Sequence, residues 1–217
     1  MGWSRTWLGA APVPITLNLA YPFNGRWLTQ NSPANRVPSH GTTLYASTFA
    51  IDFVPVDDSG RTAPLTLASL VYPEPAARFP GFGRSVLAPV DGIIVALHDS
   101  EPDHAAFRGL PSIRYALTQA RRAAAGWLAL AGNHVMIRTH NGSVVALCHL
   151  QHHSVRVRTG QRVDAGQLLA GCGNTGNSTE PHLHLQAISG VDVMSASALS
   201  ITFPGGLPRN GTIIDAQ

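Results

Sequence analysis

The chain has 217 residues, of which 44% are hydrophobic and only 12% are charged, about half the usual charged share of a quarter. This composition excludes general disorder, and the length is sufficient for one domain with a buried core. The net charge of +3 comes from 15 arginines, with no lysine, against 9 aspartates and 3 glutamates. These cations are too few to form a basic surface that binds nucleic-acid phosphates. We therefore expect no nucleic-acid partner.

The N-terminal segment gives no sign of a membrane span or a leader. No run approaches the roughly 20 apolar residues that cross a bilayer. Arg5 is followed by no continuous apolar stretch, because Pro12 and Pro14 interrupt the only candidate. We therefore expect no membrane span and no signal peptide in this chain.

Most of the chain is predicted to form short strands separated by Gly, Pro, Asn and Asp turns. The predicted strands are 15–23, 48–56, 85–89, 92–98, 134–140, 143–150, 167–171 and 182–188. Asn141-Gly142 between two alternating runs is the strongest hairpin signal, because both residues tolerate positive φ. This spacing favours a mainly β fold, an antiparallel sheet or sandwich, over a βαβ fold.

One segment breaks the strand pattern. Apolar residues recur at helical intervals over 112–128, with Ser112 as a possible cap and Gly126 weakening the end. We predict a helical insertion between two strands. The proline-rich segment 63–83 is predicted to be a long surface loop.

Two cysteines, Cys148 and Cys172, are too few for a disulfide framework or a cysteine-rich zinc module. Both lie in short apolar runs. Two buried thiols are the simpler interpretation, and a single bridge between neighbouring strands is the alternative.

Histidines in two predicted strands are candidates for chemistry. In His182-Leu183-His184, a period of two puts both imidazoles on one face of the strand, where they can serve one metal site or simply face solvent. His149 ends the run from Val144 to Leu150, and alternation places it opposite Cys148. If Cys148 faces the core, His149 faces a groove.

A further histidine and a carboxylate lie upstream. His40 precedes a predicted strand in which Asp52 stands between Ile51 and Phe53. A carboxylate in such an apolar setting must be paired, hydrogen-bonded or metal-bound, because its unpartnered desolvation is too costly. A buried ion pair with arginine and an outward-facing position are the structural alternatives.

Taken in order, these residues resemble the lysostaphin/LytM-type zinc metallopeptidases, many of which cut peptidoglycan cross-bridges. The resemblance is carried by His40 with Asp52, by Cys148-His149-Leu150 and by Pro181-His182-Leu183-His184. The segments 86–95 and 155–178 also resemble the family's connecting strands and its Gly-x-Thr-Gly-x-Ser turn. The resemblance covers about residues 40–188 without the helical insertion.

The resemblance implies roles for five residues. His40, Asp52 and His184 are the implied ligands of one zinc ion per chain, and His149 and His182 are the implied catalytic histidines. The family pattern has three residues between the first histidine and the aspartate, whereas eleven (41–51) lie between them here. Asp57 or Asp58 is therefore the alternative third ligand.

The chemistry is consistent with that set. Three protein ligands leave a fourth zinc position open, the arrangement of catalytic rather than structural sites. A base must then lie within about 3 Å of the attacking water. The three glutamates, Glu74, Glu101 and Glu180, have no helical spacing with two histidines. Histidine must therefore move the proton, with His149 and His182 sharing base and oxyanion roles in an order left open.

We accordingly predict a metallopeptidase core over 40–190 with a helical insertion at about 100–130. It is preceded by N-terminal strands of the same domain (1–39) and followed by a C-terminal extension (191–217). The resemblance implies a zinc-dependent endopeptidase acting on peptidoglycan, and an extracytoplasmic location in the periplasm or cell wall. The alternatives are a zinc hydrolase for a non-wall peptide or amide, and a non-catalytic binding module.

Overall fold

The computed structural model describes residues 16–217. Within them the chain forms mainly strands. The strands are β1 Thr16–Asn18, β2 Gly25–Gln30, β3 Ile51–Pro55, β4 Ser85–Leu87, β5 Gly92–His98, β6 Asn133–Arg138, β7 Val144–Leu150, β8 Arg162–Val163, β9 Leu168–Gly171, β10 Leu183–Ile188, β11 Ala198–Thr202 and β12 Ile213–Ala216. The helices are α1 Leu110–Leu117, α2 Gln119–Ala124 and α3 Trp127–Ala131.

One sheet contains most of the strands, in the order β12-β2-β3-β10-β7-β6-β5-β8. Its pairs are antiparallel, and β11 joins through β10 and pairs in parallel with β1. Strands β4 and β9 form a separate antiparallel pair. The prediction of a mainly β, largely antiparallel fold is confirmed.

Three central strands determine which side chains meet. In β10, His184 stands directly opposite Asp52 of β3 on one side and Cys148 of β7 on the other. Leu183 and Leu185 point to the opposite face, where they are fully buried in the main hydrophobic core. The predicted alternation of His182, Leu183 and His184 is therefore confirmed.

Several strands were not predicted. Strand β2, which begins at Gly25, lies outside every predicted strand, and its register places Gln30 opposite Asp52. Strands β8, β11 and β12 were also missed, because they are short or lie in segments without clear alternation. The strand predicted over 15–23 is confined to Thr16–Asn18, and position 15 lies outside the described residues.

The predicted hairpin at Asn141-Gly142 joins β6 to β7, through a turn in which Gly142 has φ 88°. The predicted helix over 112–128 is instead three short helices, interrupted at Thr118 and Gly126. Gly126 adopts φ 105°, a conformation that the α-helix excludes. Ser112 does not cap the insertion, since α1 begins at Leu110 and the Ser112 hydroxyl donates to Gly109 O.

The loop predicted over 63–83 contains two 3-10 turns, Ala68–Leu70 and Ala76–Arg78. Ala63 and Phe79 nevertheless pack with Ala106 in a small apolar cluster, so the loop is partly buried. Cys148 and Cys172 are buried and free, which confirms the interpretation as two thiols. No helix in residues 16–217 has the length and apolarity needed to cross a bilayer.

Candidate active site

The three implied metal ligands meet at one edge of the central strands. One ligand atom each from His40, Asp52 and His184 lies within 4.8 Å of the other two. Asp52 Oδ2 is 3.0 Å from His40 Nε2, and Asp52 Oδ1 is 2.9 Å from His184 Nδ1. Residues 132 positions apart are brought together because β3 pairs with β10.

Gln186 settles which nitrogen of His184 carries the proton. Its side-chain NH2 donates to the carbonyl oxygen of Tyr45 at 2.9 Å, so its Oε1 must face His184. Because Oε1 only accepts, His184 Nε2–H donates to it at 3.1 Å. The neutral imidazole therefore presents its Nδ1 lone pair to Asp52.

This arrangement suits a cation. The lone pair of His184 Nδ1 and the carboxylate oxygen Asp52 Oδ1 are both hydrogen-bond acceptors, so they repel each other at 2.9 Å. A proton or a metal cation bound between them makes this approach favourable. Ligand atoms of a tetrahedral zinc site lie about 3.4 Å apart. Two histidine nitrogens and one carboxylate oxygen also form a donor set that zinc accepts. The residues present therefore fit a zinc ion.

Asp52 is a buried carboxylate with several partners. It is 4% exposed and also accepts a 2.7 Å hydrogen bond from the Asn31 side-chain amide. Burial acts to raise its pKa, but the positive charge of the neighbouring His40 and His182 and the hydrogen bond that His40 donates outweigh burial and hold the pKa well below its usual value. The group is therefore anionic at neutral pH, as a metal ligand would need to be.

His149 reaches the groove through a β-bulge. Asn133 pairs with Leu150 and His134 with Cys148, so His149 is the extra residue, and its φ is 62°. Simple alternation assigned it to the face opposite Cys148. That assignment is wrong, because the bulge brings Cys148 and His149 to the same groove.

The Thr175 carbonyl fixes the tautomer of His149. Its Nδ1–H donates to the carbonyl oxygen of Thr175 at 2.9 Å, so Nε2 is a free acceptor. Burial lowers the pKa of His149 well below its ordinary value, and the nearby charges of His182 and His184 act in the same direction. Neutral imidazole is thus the resident form.

His182 is held in an equivalent way. Its Nδ1 lies 2.8 Å from Glu180 O and 2.9 Å from the Ser178 hydroxyl. With Nδ1–H donated to the carbonyl, Nε2 is free and lies 3.9 Å from Asp52 Oδ2. The rings of His149 and His182 are 4.7 Å apart between centroids, beside the metal-ligand cluster.

The loop 175–180, whose carbonyls orient His149 and His182, packs tightly against Gly132 at the end of the helical insertion. A Cβ at Gly132 would lie 2.5 Å from Thr175 Oγ1, and Gly132 has φ 59°. The Thr175 hydroxyl donates to Leu150 O and accepts from Asn133 N–H, both at 3.0 Å. Only glycine permits this approach, which holds the Thr175 carbonyl under His149.

A groove of about 650 Å³ contains all five predicted site residues. Its other side is lined by the helical insertion, including Tyr115, Arg122 and Trp127. The alternative ligand Asp57 lies elsewhere, in a turn where its carboxylate accepts from Ser59 and Arg61 N–H.

Sequence reasoning missed several residues of the site. Gln186 continues the alternation of His182 and His184, so its position on their face was predictable. Thr175 lies in the Gly-x-Thr-Gly-x-Ser turn that the resemblance singled out, but its contact with His149 was not predicted. Asn31 carries no such signal, because its contact with Asp52 arises from a distant loop.

Comparison with known proteins links this site to a family. Residues 112–195 match the model of peptidase family M23; this range includes His149, His182 and His184. The chain is 34% identical over 79 residues to the peptidoglycan DD-endopeptidase ShyA of Vibrio cholerae, covering 36% of this chain and 18% of ShyA. It is 32% identical over 74 residues to the glycyl-glycine endopeptidase ALE-1 of Staphylococcus capitis, covering 34% of this chain and 20% of that protein. The matches thus span about a fifth of these relatives.

The chain is also similar to two solved structures of other proteins. The catalytic domain of lysostaphin from Staphylococcus simulans has 19% identity and a TM-score of 0.39, covering 70% of this chain and 77% of that one. A protein of Ruminococcus gnavus that is named as a candidate glycyl-glycine endopeptidase lytM has 16% identity and a TM-score of 0.45, covering 86% of this chain and 55% of that one.

Proposed function

We propose that the chain, whose residues 112–195 match the model of peptidase family M23, is a zinc-dependent endopeptidase that hydrolyses peptide bonds in peptidoglycan. The observation that carries this proposal is the meeting of three candidate ligands with two groove-facing histidines whose Nε2 atoms are free. Such a substrate lies outside the cytoplasm, so the proposed location is extracytoplasmic.

The metal site would consist of His40, Asp52 and His184, binding one zinc ion. When bound, zinc supplies Lewis-acid chemistry: it lowers the pKa of a water molecule and polarises the scissile carbonyl. Gln186 and Asn31 keep the ligands in place through hydrogen bonds to His184 and Asp52. Partners of this kind orient ligands and increase metal affinity.

The two remaining histidines would move protons and stabilise charge. Each donates Nδ1–H to a backbone carbonyl, of Thr175 or of Glu180, which leaves Nε2 free to accept a proton from the attacking water. After that transfer the protonated ring is a hydrogen-bond donor. The histidine that accepts the water proton passes it on to the leaving amine, and the other histidine donates to the developing oxyanion only when its own Nε2 is protonated.

The test combines metal content with hydrolysis of two substrates. The zinc-loaded chain is incubated with purified sacculi and with soluble cross-linked peptides, beside His149→Ala. We expect the wild type to release peptide fragments from both substrates, and His149→Ala to keep its zinc while losing hydrolysis. Cleavage of peptides but not sacculi would favour a non-wall substrate, and zinc binding without any hydrolysis would favour a binding module.

A further inference from the structure

Arg122 is a cation in the groove wall whose charge no protein carboxylate neutralises. Among the described residues that line the groove it is the only arginine, and it forms no ion pair with any residue of 16–217. The two arginines that do pair with a carboxylate there are Arg78 and Arg108, both with Glu74. A half-buried cation that lacks a counter-ion is poorly solvated, so it favours an anionic ligand.

The guanidinium group is also held rigidly. Its Nε–H donates to Asn177 Oδ1 at 2.7 Å, and one terminal nitrogen donates to Tyr115 O at 2.8 Å. The other terminal nitrogen donates to the Thr118 hydroxyl. The guanidinium carbon stacks over the Tyr115 ring, 3.6 Å from its centroid.

All three acceptors are neutral, so they orient the group without cancelling its charge. A guanidinium has five N–H donors, so two have no acceptor in the described part of the chain. A planar, oriented group with free donors is suited to a carboxylate.

Arg122 is connected to the catalytic histidines. Its partner Asn177 precedes Ser178, whose hydroxyl contacts His182 Nδ1 at 2.9 Å. The other acidic and basic side chains of the groove lining are the carboxylates Asp52 and Glu180 and the four histidines of the predicted site. Apart from the metal site and the two remaining histidines, Arg122 is therefore the place in the groove where a substrate carboxylate meets positive charge.

We propose that Arg122 is a specificity-determining residue that binds a free carboxylate of the peptide substrate. The inference rests on the proposed peptidase function and narrows its substrate class. Peptides with a carboxylate beside the scissile bond, as in D-alanyl-diaminopimelate cross-links, are the expected substrates. Neutral glycyl-glycine bridges lack the group that Arg122 would bind.

The experiment uses two peptides that differ at one group. One is a D-alanyl-diaminopimelate cross-linked peptide with the free carboxylate beside the scissile amide, and the other has that carboxylate converted to a carboxamide. Zinc-loaded wild type, Arg122→Gln, Arg122→Lys and Arg121→Gln are compared for kcat and KM. Arg121 is the matched control, because it adjoins Arg122 but is exposed.

We expect the wild type and Arg121→Gln to prefer the carboxylate peptide by about 10- to 100-fold in kcat/KM, the equivalent of a charged hydrogen bond. Arg122→Gln should lose that preference through a higher KM for the carboxylate peptide only, and Arg122→Lys should keep part of it. Equal cleavage of both peptides by wild type, or an equal loss on both in Arg122→Gln, would overturn the inference.

Calorimetric titration of the same peptides into the zinc-loaded proteins separates this inference from the proposed function. If the wild type binds the carboxylate peptide more tightly and Arg122→Gln does not, Arg122 has the proposed role even when neither peptide is cleaved. If the wild type cleaves both peptides but binds them equally well, the peptidase proposal stands and the role of Arg122 is refuted.

Discussion

Replacing Gln186 with methionine isolates the hydrogen bond that orients His184. Gln186 is 1% exposed, accepts from His184 Nε2–H and donates to Tyr45 O. Methionine has a similar length but provides neither group. In this variant no acceptor holds the His184 proton on Nε2, so the proton can move to Nδ1 and block the lone pair that would face the metal.

The expected loss in zinc affinity is about 10- to 100-fold, as for other partners of metal ligands, or about 1.4–2.7 kcal/mol. The Tyr45 carbonyl also loses its donor, so the unfolding free energy should fall by about 1–3 kcal/mol. Zinc affinity is measured by competition with a chromophoric chelator, and stability by urea unfolding of the metal-free proteins.

Two further variants control this result. Gln167→Met makes the same substitution in the turn before β9 and should leave zinc affinity unchanged. Gln186→Glu keeps an acceptor for His184 and should bind zinc more tightly than Gln186→Met. Unchanged zinc affinity in Gln186→Met would refute the reasoning that Gln186 sets the tautomer of His184.

Three other predictions concern stability. Gly132→Ala should destabilise the fold by about 1–3 kcal/mol through overpacking, more than Gly160→Ala, which has φ 85° but open space around its Cβ; equal losses would contradict the close packing. Arg108→Ala should cost about 3 kcal/mol, the lower end for a broken buried ion pair, because the buried Glu74 carboxylate loses its closest cation and keeps only Arg78 at 3.7 Å; an unfolding midpoint like that of the wild type would count against it. Burial lowers the pKa of His134 in the folded state. Because the unfolded chain then binds more protons, stability should fall as pH drops through about 6.5, and less so in His134→Gln; identical slopes would show that His134 does not contribute.

The sequence predicted the chemistry of the site better than its geometry. Alternation was sufficient to place His182 and His184 on one face, because it is a local property of a strand. The pairing of His184 with Asp52 depends on contact between strands 132 positions apart, which no local pattern encodes. Here the motif resemblance supplied the information that periodicity lacked.

Two errors have identifiable physical causes. The face of His149 was misassigned because a β-bulge adds one residue, and such a residue reverses the alternation beyond it. The helical insertion was predicted as one helix because its apolar spacing is continuous through Thr118 and Gly126. Tertiary contacts of the resulting short helices, such as Tyr115 O–H to Gly176 O, replace helical continuity.

The central claim is that Asp52, despite its unusual distance from His40 in sequence, is a zinc ligand. Elemental analysis of purified wild type, Asp52→Ala and Asp57→Ala tests it most directly. We expect about one zinc per chain in wild type and in Asp57→Ala, as for a catalytic site with three protein ligands, and a loss of zinc in Asp52→Ala. Zinc retained by Asp52→Ala, or no metal in wild type after zinc is supplied, would contradict the account.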